Sequence, residues 1–231
     1  MPRHARVVPI DCPLHVTHRG NWRAPVFLDS GGYSRYLAVL RTEGDRNRLD
    51  VWAYCLMPNH VHLVVVARDP ASLSTTIQRV HGQYARWLHT RNGWSGHLWA
   101  NRYFSTPMDD LHLWTAVRYV ELNPVRGGLV TRAEDYLWSS ARAHCTRGKD
   151  LLLASQRPFP GEIPNWSAWL QEGLGDAEAE AIRSRTVSGL PLASPEFTLE
   201  LERRMGRSLT PARRGRPCPG DRCYGSRSGK T

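Results

Sequence analysis

Four stretches of the chain alternate between apolar and polar residues or form short apolar runs, and each predicts a β-strand. The third stretch, HVHLVVVA, follows the second across a tight turn at Pro58 and Asn59. Its leucine and valines would fill both faces of a sheet, which is typical of a central strand. The predicted strands span residues 5–20, 48–57, 60–67 and 97–106.

Apolar residues at intervals of three and four predict helices between and after these strands. Ser30 is the predicted N-cap of the first helix, which stops at Gly44; the second helix opens at Ser72, and the third spans residues 111–123 before Pro124. The resulting order is strand, helix, strand, strand, helix, strand, helix. This order predicts an α+β, ferredoxin-like (RRM-like) βαββαβ antiparallel sheet with an added C-terminal helix.

The composition changes near residue 148, where the chain becomes rich in proline, glycine and arginine. We therefore predict a folded domain over residues 1–148 and an extension over residues 149–231. One short amphipathic helix, at residues 194–206, is predicted in the extension. The arginine-rich segment after that helix has few apolar residues to bury, which predicts a partly disordered basic tail.

A formal net charge of +10 favours an anionic partner, and nucleic acid is the first candidate. The five cysteines are scattered and odd in number, so neither a disulfide framework nor a zinc site is predicted. No secretory segment opens the chain, and no apolar run is long enough to span a bilayer. These features predict a cytoplasmic protein with no membrane partner.

Two histidines stand at the start of the predicted central strand. His60 and His62 are two residues apart, so both rings project from the same side of the sheet. In a ferredoxin-like sheet the two crossover helices cover one face, and we expect the histidines on the opposite, uncovered face. Two imidazoles at this spacing can bind one divalent ion. The alternative is that both rings satisfy backbone groups or stack on neighbours.

Two polar residues in the third predicted helix, at residues 111–123, complete the candidate chemistry. Tyr119 and Asn123 are one turn apart and project from the same side of that helix. Tyrosine supplies a phenol oxygen, and asparagine supplies an amide oxygen that suits Mg²⁺ or Mn²⁺. Taken alone, Tyr119 is also compatible with an ordinary amphipathic position at a helix–sheet boundary.

Three blocks in a fixed order carry a resemblance to a known family. They are YCLMPNHVHLVV (54–65), GHLWANRYFS (96–105) and RYVELNPVRGGLV (118–130). Together they resemble the single-tyrosine His-hydrophobic-His (HUH) transposases, and specifically the REP-associated tyrosine transposase branch. The resemblance covers about residues 6–148, which makes the predicted domain 1–148 a catalytic domain.

The resemblance implies a role for each candidate residue. Tyr119 matches the nucleophilic tyrosine. His60 and His62 match the metal-binding pair, and Asn123 matches the third ligand. The implied enzyme is a DNA transposase that acts in DNA recombination. It is an endonuclease and strand-transferase that uses Mg²⁺ or Mn²⁺. It nicks and rejoins single-stranded DNA through a 5′-phosphotyrosine intermediate. The implied partner is single-stranded DNA with hairpin-forming repeats, bound by a monomer or a homodimer.

Binding of single-stranded DNA requires a basic groove and aromatic faces on which bases stack. Residues of both kinds lie in or beside the three blocks and in the segment VTHRGNWR (16–23), which also fits the resemblance. Two more arginines lie in RRGRP (213–217), which resembles the AT-hook core that inserts arginine into a narrow minor groove. Each of these residues, taken singly, is also typical of an ordinary surface arginine or a core aromatic. The predicted DNA-binding residues are Arg19, Arg102, Tyr103, Arg118, Arg126, Arg214 and Arg216.

Two other functions are compatible with parts of the pattern. An RRM-like nucleic-acid-binding domain without catalytic activity would carry aromatic residues in the middle of its first and third strands, where bases stack. A metal-dependent hydrolase would activate water with the same ion and would not need Tyr119.

Overall fold

A four-stranded antiparallel sheet lies at the centre of the protein, whose computed structural model describes residues 6–157 and 159–209. Its strands in chain order are β1 (Pro13–Arg19), β2 (Leu49–Met57), β3 (His60–Ala67) and β4 (Phe104–Pro107). In space the order is β2, β3, β1, β4, so β3 and β1 lie in the middle of the sheet. The predicted α+β class with an antiparallel sheet is confirmed.

Eight α-helices accompany the sheet in the described residues, and the first two connect β1 to β2 and β3 to β4. None of the helices in that part of the chain combines the length and the apolar character needed to cross a bilayer. The helices are α1 (Ser30–Asn47), α2 (Ser72–Asn92), α3 (Asp110–Glu121), α4 (Asn123–Arg126), α5 (Ala141–Thr146), α6 (Trp166–Gln171), α7 (Asp176–Ser188) and α8 (Pro195–Met205).

The ends of α1 differ from the predicted ones for local reasons. Asp29 rather than Ser30 is the N-cap, since its side chain accepts a hydrogen bond from the backbone N–H of Gly32. The helix does not stop at Gly44. It continues until Arg48, whose left-handed backbone (φ 57°) ends it.

The two faces of β3 pack against different helices, because successive side chains of a strand alternate between faces. Val61, Leu63 and Val65 are fully buried in the apolar cluster that includes α1 and α2. Val64, which shares its face with His62, belongs to a second cluster that includes α3 and α7. The histidine face is predicted to be uncovered. That prediction is wrong, because α3 and α7 cover this face.

Two predicted strands are shorter in the structure because irregular backbone interrupts them. The strand predicted at residues 5–20 begins only at Pro13, after Asp11 in the left-handed conformation (φ 55°). The strand predicted at residues 97–106 is limited to β4, and Asn101 before it also has a positive φ of 48°. Left-handed residues break the extended conformation that a strand requires.

The described residues after residue 148 contain three helices, whereas a single one is predicted there. Helix α8 lies within the predicted range 194–206, whereas α6 and α7 are additional. The sequence does not predict α7, because only one of its three buried residues is a large apolar one. These residues are Ala179, Ile182 and Thr186. Ala179 and Ile182 share an apolar cluster with Val64 of β3. The division at residue 148 stays a prediction, and the predicted basic tail lies outside the described residues.

Backbone from later in the chain pairs with both outer strands of the sheet. Beside β2, the N–H of Leu56 donates to the carbonyl of Trp138 at 2.8 Å. Beside β4, the N–H of Leu192 donates to the carbonyl of Pro107 at 2.9 Å. Each edge of the sheet is thereby covered over part of its length.

A chain of hydrogen bonds joins two buried histidines on the side of the sheet that faces α1 and α2. The carbonyl of Ala100 accepts from Nε2–H of His18 (2.9 Å), so Nδ1 of His18 accepts from Nδ1–H of His81 (2.8 Å). The remaining Nε2 of His81 accepts from the hydroxyl of Tyr36 (2.9 Å). Two neutral rings satisfy all of these bonds, and burial favours the neutral forms because it lowers the pKa of both histidines.

We expect the free energy of unfolding to decrease as the pH falls below about 6.5, the ordinary pKa of histidine. The unfolded chain takes up protons there, while His18 and His81 stay neutral in the folded protein. The stabilisation is fully present above the unfolded pKa and is lost as the pH falls towards the lower folded-state pKa values. Each such histidine contributes about 1.4 kcal/mol per pH unit over that interval.

Urea unfolding between about pH 7.5 and pH 5.5 measures this slope. The variant His81→Gln can still form hydrogen bonds but does not titrate, so its slope should be shallower than that of the wild type. Equal slopes for the two proteins would contradict the assignment of neutral rings.

Candidate active site

His60 and His62 project from the start of β3 on the side of the sheet that faces α3. His62 is 5% exposed, and its ring lies edge-on to that of His60 with the centroids 4.8 Å apart. Strand β1 places Arg19 opposite His60 and Thr17 opposite His62. Because directly paired residues of neighbouring strands share a face, these four side chains lie together across the two central strands.

Each of these histidines has one ring nitrogen held by a neighbouring side chain. Nδ1–H of His60 donates to Oδ1 of Asn59 at 2.6 Å, and Nδ1 of His62 is bonded to Nε2 of His15 at 2.9 Å. Neither Nε2 atom has a hydrogen-bond partner among the described residues. Bonds of this kind at one nitrogen orient an imidazole so that the other nitrogen can bind a metal ion.

The electrostatics of the site keep both rings neutral near pH 7. Burial, with a smaller contribution from Arg19, lowers the pKa of His60 to about 4. Burial also lowers the pKa of His62 well below its ordinary value, and the neighbouring histidines and arginines act in the same direction. A neutral imidazole has the lone pair that a metal ion needs, so the site favours metal binding over protonation.

The turn before β3 fixes the orientation of Asn59. Its Nδ2 donates to the carbonyl of Arg23 at 2.9 Å, which leaves Oδ1 for His60. The loop that contains Arg23 also contacts this turn at Gly20, whose N–H donates to the carbonyl of Asn59 at 2.8 Å. A Cβ at Gly20 would lie 2.4 Å from the carbonyl oxygen of Ala24, so the close approach requires glycine.

Helix α3 brings Tyr119 to the histidines. The centroid of its ring lies 5.6 Å from that of His62 and 5.8 Å from that of His15, edge-on to both. Leu113 and Val117 of the same helix are fully buried in the cluster on this face of the sheet, which determines the side that α3 turns towards β3. The hydroxyl of Tyr119 makes no hydrogen bond to any described residue. Within the described part of the chain, its oxygen is therefore not held by another group.

The end of α3 is fixed by the buried side chain of Glu121. One carboxylate oxygen accepts from Oγ of Ser140 (2.5 Å) and from Nδ1 of His144 (2.6 Å), and the other accepts from Nε1 of Trp166 (2.7 Å). Glu121 is 0% exposed, and a carboxylate so deeply buried requires such donors. These bonds connect α3 to α5 and α6 at a point two residues from Tyr119.

Asn123 begins α4, one turn after Tyr119, and its Nδ2 donates to the carbonyl of Tyr119 at 2.9 Å. The amide oxygen is therefore the atom that remains for a ligand. No hydrogen bond joins Asn123 to His60 or His62 in the described part of the chain. There, too, no three side chains of histidine, cysteine, aspartate or glutamate are grouped to hold a metal ion. The structure thus brings the two histidines together, and Asn123 as third ligand stays a prediction.

Two of the predicted DNA-binding residues lie at the site. Arg126, in α4, places its guanidinium 4.8 Å from the centroid of the Tyr119 ring. Arg19 pairs with His60 across the two central strands. Both arginines are exposed and can contact an anionic substrate. They surround the neutral histidines with positive charge.

Arg118 is bound by the C-terminal segment instead of projecting into solvent. Its guanidinium pairs with the carboxylate of Glu172 at 2.9 Å, donates to the carbonyl of Gly173 at 3.2 Å and lies over the ring of Trp169 at 4.3 Å. A phosphate would have to compete with all three contacts. The structure therefore does not place Arg118 with Arg19 and Arg126.

The segment before β4 divides its side chains between the two faces of the sheet. Tyr103 is buried in the cluster of α1 and α2 under the guanidinium of Arg6, and Arg102 before it is exposed. Phe104, by contrast, pairs with Thr17 on the histidine face and is 42% exposed. It is the aromatic ring that this segment presents beside the site. The predicted Arg214 and Arg216 lie outside the described residues.

Two residues of the site escape the sequence prediction. The ring of His15 lies nearly parallel to that of His62 with the centroids 5.2 Å apart and a hydrogen bond between them, and its Nδ1 is bonded to Thr186 of α7 at 2.9 Å. The alternation of β1 could have indicated His15, because it shares a face with Thr17 and Arg19. Thr186 has no such signal, since it lies 171 residues further along the chain.

Comparisons with known proteins agree with this arrangement. Residues 10–123, which include all four candidate active-site positions, match the family model described as "Transposase IS200 like". A solved structure of a REP-associated tyrosine transposase bound to a REP hairpin is similar with a TM-score of 0.55 and 16% identity, over 71% of this chain and 99% of that chain. A putative transposase from Deinococcus radiodurans is 21% identical over 52% of this chain and 96% of that chain, with a TM-score of 0.36. No curated protein matches the chain.

A His-hydrophobic-His pair on a central strand, beside a tyrosine on a helix, is the arrangement of the HUH class of single-strand DNA nucleases. The chain belongs to the IS200-like transposase family. Enzymes of this family generally use a divalent metal ion. The predicted transposase function is confirmed at this level, and the similar solved structure supports the fold.

We expect the protein to bind Mn²⁺, and we expect His60→Ala and His62→Ala each to lose that binding, because both neutral Nε2 atoms are predicted ligands. Titration calorimetry measures the affinity, and thermal melting shows whether the variants remain folded. His97→Ala removes an exposed histidine and serves as the control. Variants that melt at a lower temperature but bind Mn²⁺ normally would show that the rings are only part of the core.

Proposed function

We propose that the chain is a metal-dependent endonuclease and strand-transferase that cuts single-stranded DNA through Tyr119 and rejoins it through a 5′-phosphotyrosine intermediate. The observation that carries this proposal is the position of Tyr119, edge-on to His62 with its hydroxyl unbonded among the described residues. Buried tyrosines usually bond their hydroxyl, as Tyr36, Tyr84 and Tyr136 do in this protein. Tyr103 also lacks such a bond among the described residues but lies on the other side of the sheet, so the place of Tyr119 beside the histidines is what a purely structural role explains less well.

In the proposed reaction the phenol oxygen of Tyr119 attacks a phosphorus atom of the DNA. A bond forms between the tyrosine oxygen and phosphorus while the bond from phosphorus to the 3′-oxygen breaks. The phenol proton passes to water, and the leaving 3′-oxygen takes up a proton to become a free hydroxyl. Attack by a 3′-hydroxyl then reverses the bonding and releases Tyr119. The phosphotyrosine conserves the bond energy, so rejoining needs no nucleotide cofactor.

His60 and His62, with Asn123 as third ligand, would hold a Mg²⁺ or Mn²⁺ ion. When bound, the ion would withdraw charge from the scissile phosphate and so assist a phenol, which is a weak nucleophile. The residues present fit such an ion. The two histidines are neutral with Nδ1 held in place, and the asparagine has an unbonded amide oxygen. A neutral ligand set leaves the positive charge of the ion available to an anionic phosphate.

Arg126 and Arg19 would bind the DNA backbone on either side of the reacting phosphate. The guanidinium of Arg126 lies over the ring of Tyr119, where its charge also favours the negative charge that develops on the phenol oxygen. Phe104 would offer an exposed face to a base of the same strand.

The two alternative functions account for less of the site. An RRM-like binding domain needs aromatic side chains in the middle of β1 and β3. On the face opposite α1 and α2 those positions hold His15, Thr17, His62 and Val64, and helices cover them. A hydrolase that activates water would explain the histidine pair but not the position of Tyr119.

The same proposal includes the type of fold, the branch of the family, the substrate and the oligomeric state. The strand order, with α1 and α2 in the two crossovers, supports the ferredoxin-like description. We place the chain in the REP-associated branch because the similar structure from that branch is covered over 99% of its length. That protein binds a REP hairpin, and we infer that single-stranded DNA beside hairpin-forming repeats is the substrate here. The enzyme would act on such DNA in the cytoplasm, as a monomer or a homodimer.

The variant Tyr119→Phe should abolish the covalent protein–DNA adduct and leave DNA affinity nearly unchanged, because only the hydroxyl is lost. Labelled single-stranded DNA is incubated with the protein and Mn²⁺, and the adduct is detected on a denaturing gel. Tyr103→Phe is the matched control, since its hydroxyl also makes no hydrogen bond in the described part of the chain but lies on the other side of the sheet. It should form the adduct normally.

The alternatives predict different results in this experiment. Normal cleavage by Tyr119→Phe would favour the hydrolase. DNA binding by the wild type without cleavage or adduct would favour the RRM-like domain.

The basic tail is proposed to add DNA affinity rather than catalysis. Residues 210–231 contain six basic side chains and one acidic one. We expect a chain that ends at Leu209 to nick a short oligonucleotide normally but to bind it less tightly. Its affinity should also depend less on salt, since each phosphate contact contributes roughly 0.7 to 0.9 to the log–log slope. Affinities at several salt concentrations test this, and an unchanged slope would mean that the tail does not contact DNA.

A further inference from the structure

We propose that Thr186, in the C-terminal segment, is a positioning residue of the metal site that acts on His62 through His15. The inference rests on the proposed function, because it concerns the ability of His62 to bind a metal ion. It gives α7 a part in the active site: this helix supplies the hydroxyl that allows the proton of His62 to lie on Nδ1, with Nε2 free for a metal ion.

Thr186, His15 and His62 form a continuous chain of hydrogen bonds next to Tyr119. Oγ1 of Thr186 lies 2.9 Å from Nδ1 of His15, and Nε2 of His15 lies 2.9 Å from Nδ1 of His62. The two imidazole planes are within 4° of parallel. His15 is 1% exposed and Thr186 is 3% exposed, so bulk water has little access to either bond.

Each of these two hydrogen bonds can be donated from either side. Only one direction of donation leaves His62 able to bind a metal ion. When Nδ1–H of His62 donates to His15, Nδ1–H of His15 donates to Thr186, and Nε2 of His62 keeps its lone pair. When the chain runs the other way, Nε2–H of His15 donates to His62. The proton of neutral His62 is then on Nε2, where it blocks coordination. A threonine hydroxyl satisfies His15 in both cases, since it can accept or donate.

Loss of the Thr186 hydroxyl would favour the direction that blocks the metal. The metal-competent direction would leave a buried N–H of His15 without an acceptor, whereas the opposite direction would leave only a lone pair without a donor. Buried N–H groups without partners are the rarer of the two in proteins, and an unpaired buried donor carries the full cost of its desolvation. The hydroxyl therefore keeps the metal-competent form of His62 accessible.

Helix α7 presents Thr186 to the sheet through its packing. Ala179, Ile182 and Thr186 form its buried stripe, and the helix contacts β1 and β4. A second threonine, Thr106 of β4, pairs with His15 across the strands, but its hydroxyl is buried with no hydrogen-bond partner in the described residues. Of these two neighbouring threonines, only Thr186 is bonded to His15.

Three variants separate the proposed role from a general effect of packing. Thr186→Val replaces the hydroxyl by a methyl group of similar size, and Thr186→Ser retains the hydroxyl. Thr106→Val makes the same chemical change at the threonine that does not bond His15. Mn²⁺ titration calorimetry measures affinity, and thermal melting measures stability. Long-range ¹H–¹⁵N NMR spectra of the metal-free proteins show which ring nitrogen of His62 is protonated.

We expect Thr186→Val to lower the affinity for Mn²⁺ by about tenfold or more, as the loss of outer bonds to metal-binding histidines does. Its spectrum should show the proton of His62 moved to Nε2. Thr186→Ser and Thr106→Val should match the wild type in both measurements. A lower melting temperature alone, with unchanged affinity and an unchanged His62 spectrum, would overturn the inference.

The two proposals fail in different ways. Wild-type protein that binds no Mn²⁺ would overturn the metal site of the proposed function. In that case the spectra of the metal-free variants would still decide whether Thr186 sets the proton position of His62. Normal Mn²⁺ binding by the wild type and by Thr186→Val would overturn only the role of Thr186.

Discussion

The buried carboxylate of Glu121 is the interaction on which the geometry of the active site depends. An apolar stripe determines which side of α3 faces the sheet. The three bonds to Glu121 have fixed donor positions in α5, α6 and the loop before α5, so they set the position along the axis as well. Tyr119 is two residues away. A displaced helix would lose this network and separate the tyrosine from His62 at the same time.

Burial divides the site into a neutral interior and a charged rim. His15 and His62 lie deep enough to stay neutral, and His60 has a lowered pKa at the mouth of the site. Arg19 and Arg126 remain in solvent. An arginine among the buried rings would repel a metal ion, and a protonated histidine could not bind one. The buried neutral histidines thus suit a metal cation, and the exposed arginines suit the phosphates of a nucleic acid.

The parts of the site that sequence could predict are those with local signals. The predicted strand at residues 60–67 agrees with β3 at both ends, because a turn and an uninterrupted apolar run mark it. Tyr119 and Asn123 could be placed one turn apart from helical spacing alone. Contacts between distant segments have no such pattern. Nothing near His15 indicates Thr186, and nothing near Arg118 indicates the carboxylate that binds it 54 residues later. Thr186 lies in α7 and Glu172 directly follows α6, two helices that the sequence does not predict.

The covered edges of the sheet bear on how two copies of this protein could associate. An open edge strand offers unpaired N–H and C=O groups to a strand of another molecule. Beside β2 and β4, some of these groups are already bonded to Trp138 and Leu192 of the same chain. Two sheets could join into one continuous sheet at these positions only after the covering segments had been displaced. A homodimer that keeps them in place would be assembled from side-chain contacts, and such an interface can diverge between relatives without disturbing the strands that carry the histidines.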